Sequence, residues 1–457
     1  MSNPNRPEQE RADKPRMHLG MFFNHTGHHI ASWRHPNADA DAAIIIEPYV
    51  RLAQTAERAG LDFIFFADSA AVAERKPRSL ARSAQYTAYF EPLTLLSALA
   101  MMTKHIGLVS TATTSYNEPY HVARKFASLD HISHGRAGWN VVTSGNAAEA
   151  MNFGRDEHYE HEARYDRAHE FVGIVKGLWD SWDDDAFIRD KATGVFLDPA
   201  KMHVLNHQGQ HFKVRGPLNV PRPPQGYPVI VQAGTSPAGR ELAAETAEAV
   251  FTSELNLEGQ LGYYQDVKSR MARFGRTPDA MKILPGLTAV VAPTEAQAQE
   301  KWAYLQSLIH PKVGLDYLTM LIGMDMSSYD PDQAFPELEM GPTVTSHGMF
   351  KSITSTAKRD KLTVRQVWER LAGSRGKATM VGSVSGVADE MQRWFMAGAC
   401  DGFILQPSYL PGELDDICAM LVPELQSRGL IRVGYDGCTT LRDNLELERP
   451  PSRWQRG

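Results

Sequence analysis

Eight short apolar runs, bounded by polar or turn residues and mostly followed by helix-like stretches, constrain this fold more than any single motif. They cover residues 17–23, 61–67, 106–112, 137–143, 228–232, 249–252, 283–291 and 402–406. Near-continuous apolar runs of this kind read as strands buried on both faces, and the stretches between them supply the crossovers that parallel pairing needs. Helical patterns lie over 47–59, 92–102, 119–132, 165–182, 237–248 and 384–397, several opened by proline or an acidic residue. Eight such units predict an α/β fold, a closed (β/α)8 TIM barrel. The rival, an open doubly wound sheet, would place a glycine-rich fingerprint after its first strand. Phe22-Phe23-Asn24-His25-Thr26-Gly27 is not one.

A chain of 457 residues could hold two or three domains, but barrels with insertions occupy this range as one unit. The expected organisation is a polar, disordered tail over 1–16 and one barrel domain over 17–457, with insertions at about 187–224 and 293–377. The first insertion alternates like a β-hairpin around 203–214. The middle of the second, 324–354, is rich in Met, Ser, Pro and Gly, which predicts a loop over a site rather than a second core.

The formal net charge is −6, and no basic run exceeds Arg75-Lys76-Pro77-Arg78, so a nucleic-acid footprint is not supported and a small-molecule partner is expected. The leader lacks the apolar segment of a secretion signal, and no later apolar run approaches bilayer thickness. Cys400, Cys418 and Cys438 form no C-x-x-C pair and read as free thiols of a reducing, cytoplasmic compartment.

Active sites of such barrels sit at the carboxyl ends of the strands, and the residues there are polar. After the first strand come His25, His28 and His29, whose spacing is open to three readings: a metal site, general acid/base or substrate-pocket histidines, or a structural loop. Asp68 follows the second strand, either as a carboxylate at the barrel mouth or as a helix cap. Thr111 to Ser115 end the third strand in hydroxyls, and Asn140 with Thr143-Ser144-Gly145-Asn146 closes the fourth; such groups can bind a polar ring or ribityl chain, while β-branched Thr is also an ordinary strand residue. After the fifth strand, Gly234-Thr235-Ser236-Pro237 suits an N-cap with proline at the first helical position, where backbone N–H groups can meet a phosphate. The Lys-Ser/Thr of a P-loop is absent. His161-Glu162-Ala163-Arg164-Tyr165 could aim an imidazole, a guanidinium and a phenol at the same anion, with His161 and Tyr165 one helical turn apart.

Together, the stretches from His18 to Pro36, Phe63-Ile64-Phe65-Phe66-Ala67-Asp68-Ser69, Glu91-Pro92-Leu93-Thr94, Asn117 to Arg124, Gly138 to Ser144, Ala168 to Trp182, Gln208 to Pro224 and Gln232 to Ser236 resemble the bacterial-luciferase-like flavin monooxygenases. Within that superfamily the resemblance is to the nitrilotriacetate, dibenzothiophene-sulfone and pristinamycin-synthase group. The resemblance implies a homodimeric or homotetrameric barrel that takes reduced FMN (FMNH2) from a separate NAD(P)H:FMN reductase and uses O2 as co-substrate. One oxygen atom would enter a small organic substrate beside nitrogen or sulfur, with C–N or C–S cleavage. Carried onto this chain, it places Asp68, Thr113, Thr114 and Asn140 around the flavin ring and His161 on the ribityl chain or ring. Tyr165 and Ser236, with Gly234 and Thr235 of the same turn, would hold the phosphate, and His25 or His28 would handle protons. The alternatives are a deazaflavin-dependent oxidoreductase of the same superfamily, a metal-dependent barrel hydrolase, and a non-catalytic flavin-binding barrel.

Overall fold

A computed structural model describes residues 16–72, 77–84, 87–339, 347–373 and 375–454, so all of the expected tail except Arg16 lies outside the described residues. The eight apolar runs form eight parallel strands: β1 (His18–Phe22), β2 (Phe63–Phe66), β3 (Gly107–Thr113), β4 (Ala137–Val142), β7 (Val229–Gln232), β8 (Ala249–Thr252), β9 (Lys282–Ala292) and β11 (Gly402–Leu405). Each pairs with the next, and β9 closes the ring by pairing with β8 through Val250 and Ile283 and with β11 through Leu287 and Leu405. The fold is the closed barrel expected from the pattern.

Because alternate strand residues face opposite sides, each strand feeds two cores. Phe63, Phe65, Val109, Val231, Phe251, Leu284 and Ile404 fill the barrel, and Leu441 and Leu445 of the C-terminal stretch pack against them. Leu19, Met21, Ile64, Phe66 and Leu108 face outward against helices α1 (Ile46–Arg58) and α2 (Pro92–Met102). Each fully buried Leu or Met contributes about 1.5–3 kcal/mol. The ring of helices continues through α3 (Pro119–Ile132), α4 (His161–Trp179), α5 (Pro237–Thr246) and α6 (Leu257–Met271). Arg442, only 2% exposed, makes two hydrogen bonds of 2.7 and 2.9 Å to Glu248, an ion pair whose breakage would strand a buried charge.

Between α4 and β7 the chain makes the short antiparallel pair β5 (His207–Gln208) and β6 (Lys213–Val214). Glu170 of α4 holds it by accepting from His207 Nε2 and from the backbone N–H groups of His211 and Phe212. Beyond β9 come α7 (Glu295–Ser307), α8 (Pro311–Ile322), α9 (His347–Arg359) and α10 (Val364–Ala372), then β10 (Ala378–Ser383) and α11 (Val384–Met396). Strand β9 outruns the barrel, and its distal half, from Leu287 to Ala292, pairs with β10 as an extra edge strand.

Over 324–354 the expectation of a loop rather than a second core holds in part: 324–339 is irregular, 340–346 lie outside the described residues, and the absence of a second core is corrected. Leu318, Ile322, Met326, Phe350, Ile353, Val367 and Trp368 form a separate hydrophobic cluster. The spacing of Phe350, Ile353 and Ala357 is helical, but the interleaved Ser, Thr and Lys residues dilute the apolar signal below recognition. Ile30 and Ala31 from the loop after β1 join this cluster and so tie the insertion to the barrel mouth.

Candidate active site

A cavity of about 1430 Å³ opens at the carboxyl ends of the strands. Its walls come from residues ending β1 to β4 and the stretches that follow them, from Ala233 after β7, Phe251 of β8 and Gln406 after β11, from α8 of the insertion, and from Arg375 and Lys377 ahead of the Ala378–Ser383 strand. Phe22, Phe65 and Phe251 line its apolar floor, with Phe22 4.5 Å from Phe65 and 6.0 Å from Phe251 between ring centroids.

One hydrogen-bond network crosses the ends of β2, β3 and β4. Glu149, 4% exposed, accepts from Ser69 Oγ at 2.8 Å and from Ser144 Oγ at 2.7 Å. Ser144 has only one proton, so the 2.7 Å contact between Thr113 Oγ1 and Ser144 Oγ must use the proton of Thr113. Thr113 Oγ1 also accepts from Ser115 N, leaving it a lone pair but no proton for the cavity. Asp68 belongs to the same corner. Tyr89 Oη lies 3.2 Å from its Oδ1, and burial, reinforced by Glu91 and Glu149, pushes its carboxyl up to about 6. Asp68 caps none of the described helices.

The amide of Asn140 is oriented by similar reasoning. Thr111 donates its proton to Phe66 O at 2.9 Å, so it must accept from Asn140 Nδ2 at 2.8 Å. That leaves Asn140 Oδ1, on a residue 3% exposed, buried without a donor. Gln232 Oε1 at the end of β7 is in the same condition. Unsatisfied buried acceptors cost about 1–3 kcal/mol, a cost that a donor from a bound ligand would remove where the acceptor lines a cavity, as Asn140 does.

The histidines divide. The loop carrying them is laced to the stretch after β11, with His28 N donating to Pro407 O and His29 N to Ser408 O. Gly27, at φ 118°, sits so close to this stretch that a Cβ would lie 2.4 Å from Tyr409 Cα. His29 spends both nitrogens inside the protein: Gln306 Nε2 donates to Glu369 O, so Gln306 Oε1 accepts from His29 Nε2 at 3.1 Å, and His29 Nδ1 accepts from Ala31 N. His28 lines the cavity and donates from Nε2 to Phe22 O at 2.9 Å, which leaves Nδ1 as an acceptor. Burial first, then Arg375, lowers its pKa to about 3. The same two causes bring His25, hydrogen-bonded to the Ala84 carbonyl, to about 4. Both rings are neutral at physiological pH. Among the described residues no three metal-ligating side chains gather.

The turn after β7 makes a second corner next to Ala233, a cavity residue. Ser236 caps α5, accepting from Gly239 N at 3.1 Å, and its hydroxyl donates to Tyr165 Oη at 3.2 Å. Tyr165 and His161 share one face of the first turns of α4, with ring centroids 5.0 Å apart. A Cβ on Gly239 would stand 3.0 Å from both Tyr165 Oη and Gly234 Cα, so the turn closes this tightly only with glycine there. Thr235 is exposed, its carbonyl accepting from Arg240.

The structure therefore brings His25, His28, Asp68, Thr113 and Asn140 to one cavity, and Tyr165, His161, Gly234 and Ser236 to one adjoining corner. Thr114 does not reach the cavity: it is fully buried and donates to Val142 O. Ser69 and Ser144 were legible as polar residues at strand ends, but sequence reasoning missed Tyr89, Glu149, Arg375 and Lys377. The signal for Glu149 was a carboxylate five residues after Ser144; for Arg375 and Lys377 it was the unrecognised strand that follows them.

The luciferase-like monooxygenase family model matches residues 25–399. This chain belongs to that family. The family member is 49% identical over 443 residues to N-acetyl-S-(2-succino)cysteine monooxygenase of Bacillus subtilis (strain 168), covering 96% of this chain and 99% of that one. It is 49% identical over 441 residues to nitrilotriacetate monooxygenase component A of Aminobacter aminovorans, covering 95% and 97%. Among solved structures, riboflavin lyase RcaE, determined with modified FMN and its substrate riboflavin, superposes with a TM-score of 0.81 at 32% identity, covering 95% of this chain and 97% of that one. This luciferase-like monooxygenase has no described helix long and apolar enough to cross a membrane.

Proposed function

We propose that this enzyme is the oxygenase component of a two-component flavin monooxygenase. It takes up FMNH2 made by a separate NAD(P)H:FMN reductase and, with O2, inserts one oxygen atom into a small organic substrate beside nitrogen or sulfur, leading to C–N or C–S cleavage. The second oxygen atom leaves as water and the flavin returns to its oxidised form. The observation that carries this reading is the buried, donorless Asn140 Oδ1 on the cavity wall, an acceptor waiting for a ligand N–H.

A reduced flavin mononucleotide fits the donor set. Asn140 Oδ1 and the spare lone pair of Thr113 would accept N–H groups of its ring, and the Tyr165 hydroxyl, oriented by Ser236 at the start of α5, would donate to its phosphate. When bound, reduced FMN supplies the electrons with which O2 is activated. The chain's own residues do the rest. Phe22, Phe65 and Phe251 keep water from the cavity floor, Asp68 holds or yields a proton around pH 6, and neutral His28 offers Nδ1 to orient a substrate donor. The named relatives support the substrate chemistry, since nitrilotriacetate is a tertiary amine and N-acetyl-S-(2-succino)cysteine a thioether. The designation component A supports a partner protein, and three free cysteines are in keeping with the cytoplasm.

The test is to mix the protein anaerobically with photoreduced FMN, admit ¹⁸O₂, and assay amine and thioether substrates by mass spectrometry. One labelled oxygen per product is expected. Absence of affinity for FMN in either redox state would sink the proposal, and turnover without oxygen consumption would move the enzyme to the deazaflavin class.

A further inference from the structure

The cavity is electrically lopsided. Three of the acids that line it, Asp68, Glu91 and Glu149, belong to the β2–β4 side, where the exposed Lys125 of α3 is the one lining cation among the described residues. Strand β8 stands four strands round the ring from β2, directly across the barrel. There, from the stretch that leads into β10, Arg375 and Lys377 line the wall. Lys377 Nζ donates to Ser253 Oγ, just past β8, and stands 4.8 Å from the centroid of Phe251, a floor residue. An ammonium has three protons, and the hydroxyl takes one. No described carboxylate pairs with Lys377, and burial alone brings its pKa down to about 8. Arg375 adopts φ 50°, a left-handed conformation uncommon for a residue with a side chain, followed by Gly376 at 72°. The neighbouring rings of His25 and His28 are neutral, so they neither add to this charge nor cancel it. Asp316 of α8 is the one remaining acid among the lining residues described. A half-buried ammonium such as that of Lys377, with no described carboxylate paired to it, is costly, and a ligand anion removes that cost.

We propose that Lys377 and Arg375 form an anion subsite, and that the substrate of this enzyme carries a carboxylate or an equivalent anionic oxygen group that docks there. This rests on the flavin monooxygenase reading for the identity of the ligand as substrate. The subsite explains why the acceptor-rich side and the cationic side lie across one cavity: the cofactor ring needs acceptors and the substrate needs a fixed positive charge.

The experiment is calorimetric titration of the full-length protein, alone and saturated with FMN. The probes are tricarballylate, its uncharged trimethyl ester and propane-1,3-disulfonate. Tricarballylate or the disulfonate is expected to bind at least about tenfold more tightly than the ester, and the better of the two identifies the anionic group. Lys377→Gln and Arg375→Gln should each weaken that anion by about tenfold or more, Lys377→Arg should retain most of the affinity, and FMN affinity should not change. Equal binding of ester and anion in the wild-type protein, which needs no variant to fold, overturns the subsite. So does anion affinity that survives in both glutamine variants, or a loss of FMN affinity in their place, which would turn Lys377 toward the cofactor. Failure of the wild-type protein to bind FMN would instead strike the flavin reading and leave the anion result standing on its own.

Discussion

Replacing Tyr165 by Phe removes one oxygen atom from the corner beside α5 and isolates the contribution of the phosphate. In the structure Tyr165 Oη accepts the Ser236 proton at 3.2 Å, and its own proton has no described acceptor. That proton is available to an anion at no cost to the fold. A hydrogen bond to a charged group contributes about 1.5–3 kcal/mol, so Tyr165→Phe should weaken FMN by roughly 10- to 150-fold. Riboflavin lacks the phosphate and should bind the variant as it binds the wild type. The matching change at Ser236 is less clean, because Ser236→Ala also deletes the cap accepted from Gly239 N and costs about 1 kcal/mol of helix stability. Fluorescence titration with FMN and riboflavin, with a thermal melt as control, decides the matter. Equal losses for both flavins, or undiminished FMN affinity in Tyr165→Phe, would refute the assignment of this corner to the phosphate.

Asp68→Asn should stabilise the fold increasingly as pH rises. The folded pKa of about 6 lies above the ordinary aspartate value, so the wild type carries an ionisation penalty that is absent at low pH, grows through pH 4 to 6 and is constant above. Melting temperatures at pH 5 and pH 8 should show the larger gain at pH 8, and a larger gain at pH 5 would contradict the reading. His28→Gln should lower kcat yet leave the shape of the pH–rate profile between pH 5 and 8 unaltered, because a ring with a pKa of about 3 does not titrate there; a limb near pH 6–7 that vanishes in the variant would count against neutral His28. Trp368→Ala, at a side chain with 0% exposure in the insertion cluster, should cost about 3–5 kcal/mol in urea denaturation, and a loss under about 1 kcal/mol would mean that the cluster does not support the insertion.

The barrel was legible because its strands are buried on both sides. A run such as Phe63-Ile64-Phe65-Phe66, short and bounded by polar residues, suits a strand buried on both faces, and helices opened by Pro92, Pro119 and Pro237 announce their own first turns. Strand β10 escaped because it is an edge: Thr379 is exposed and Val381 only partly covered, so its apolar count is too low to mark a strand. The α9 helix escaped for the reverse reason, its three buried positions being diluted by polar neighbours. For the site, position was readable and partnership was not. Asp68, Asn140 and Ser236 follow from where strands end. That Glu149 joins Ser69 to Ser144, or that Lys377 reaches Ser253 across more than a hundred residues of chain, depends on how loops pack, and local pattern carries no trace of it.

The hydroxyls from Thr111 to Ser115 show what that difference means chemically. In sequence they are interchangeable donors ready to serve a ligand. In the structure every proton is committed elsewhere: Thr111 to Phe66 O, Thr113 to Ser144 Oγ, Thr114 to Val142 O and Ser115 to Thr143 O. What remains for the cavity is a set of acceptors, namely Asn140 Oδ1, one lone pair of Thr113, His28 Nδ1 and the Asp68 carboxyl. Against the proposed flavin ring, such a wall would discriminate between its redox forms. Oxidised isoalloxazine has a single ring N–H, whereas the dihydro form adds another at N5 and, when neutral, a third at N1. Each further donor that meets a buried acceptor removes an unsatisfied group worth about 1–3 kcal/mol. If the flavin ring sits where we propose, the committed protons of the third strand would favour its reduced form over the oxidised one, the preference that capture of a reduced flavin from solution would require.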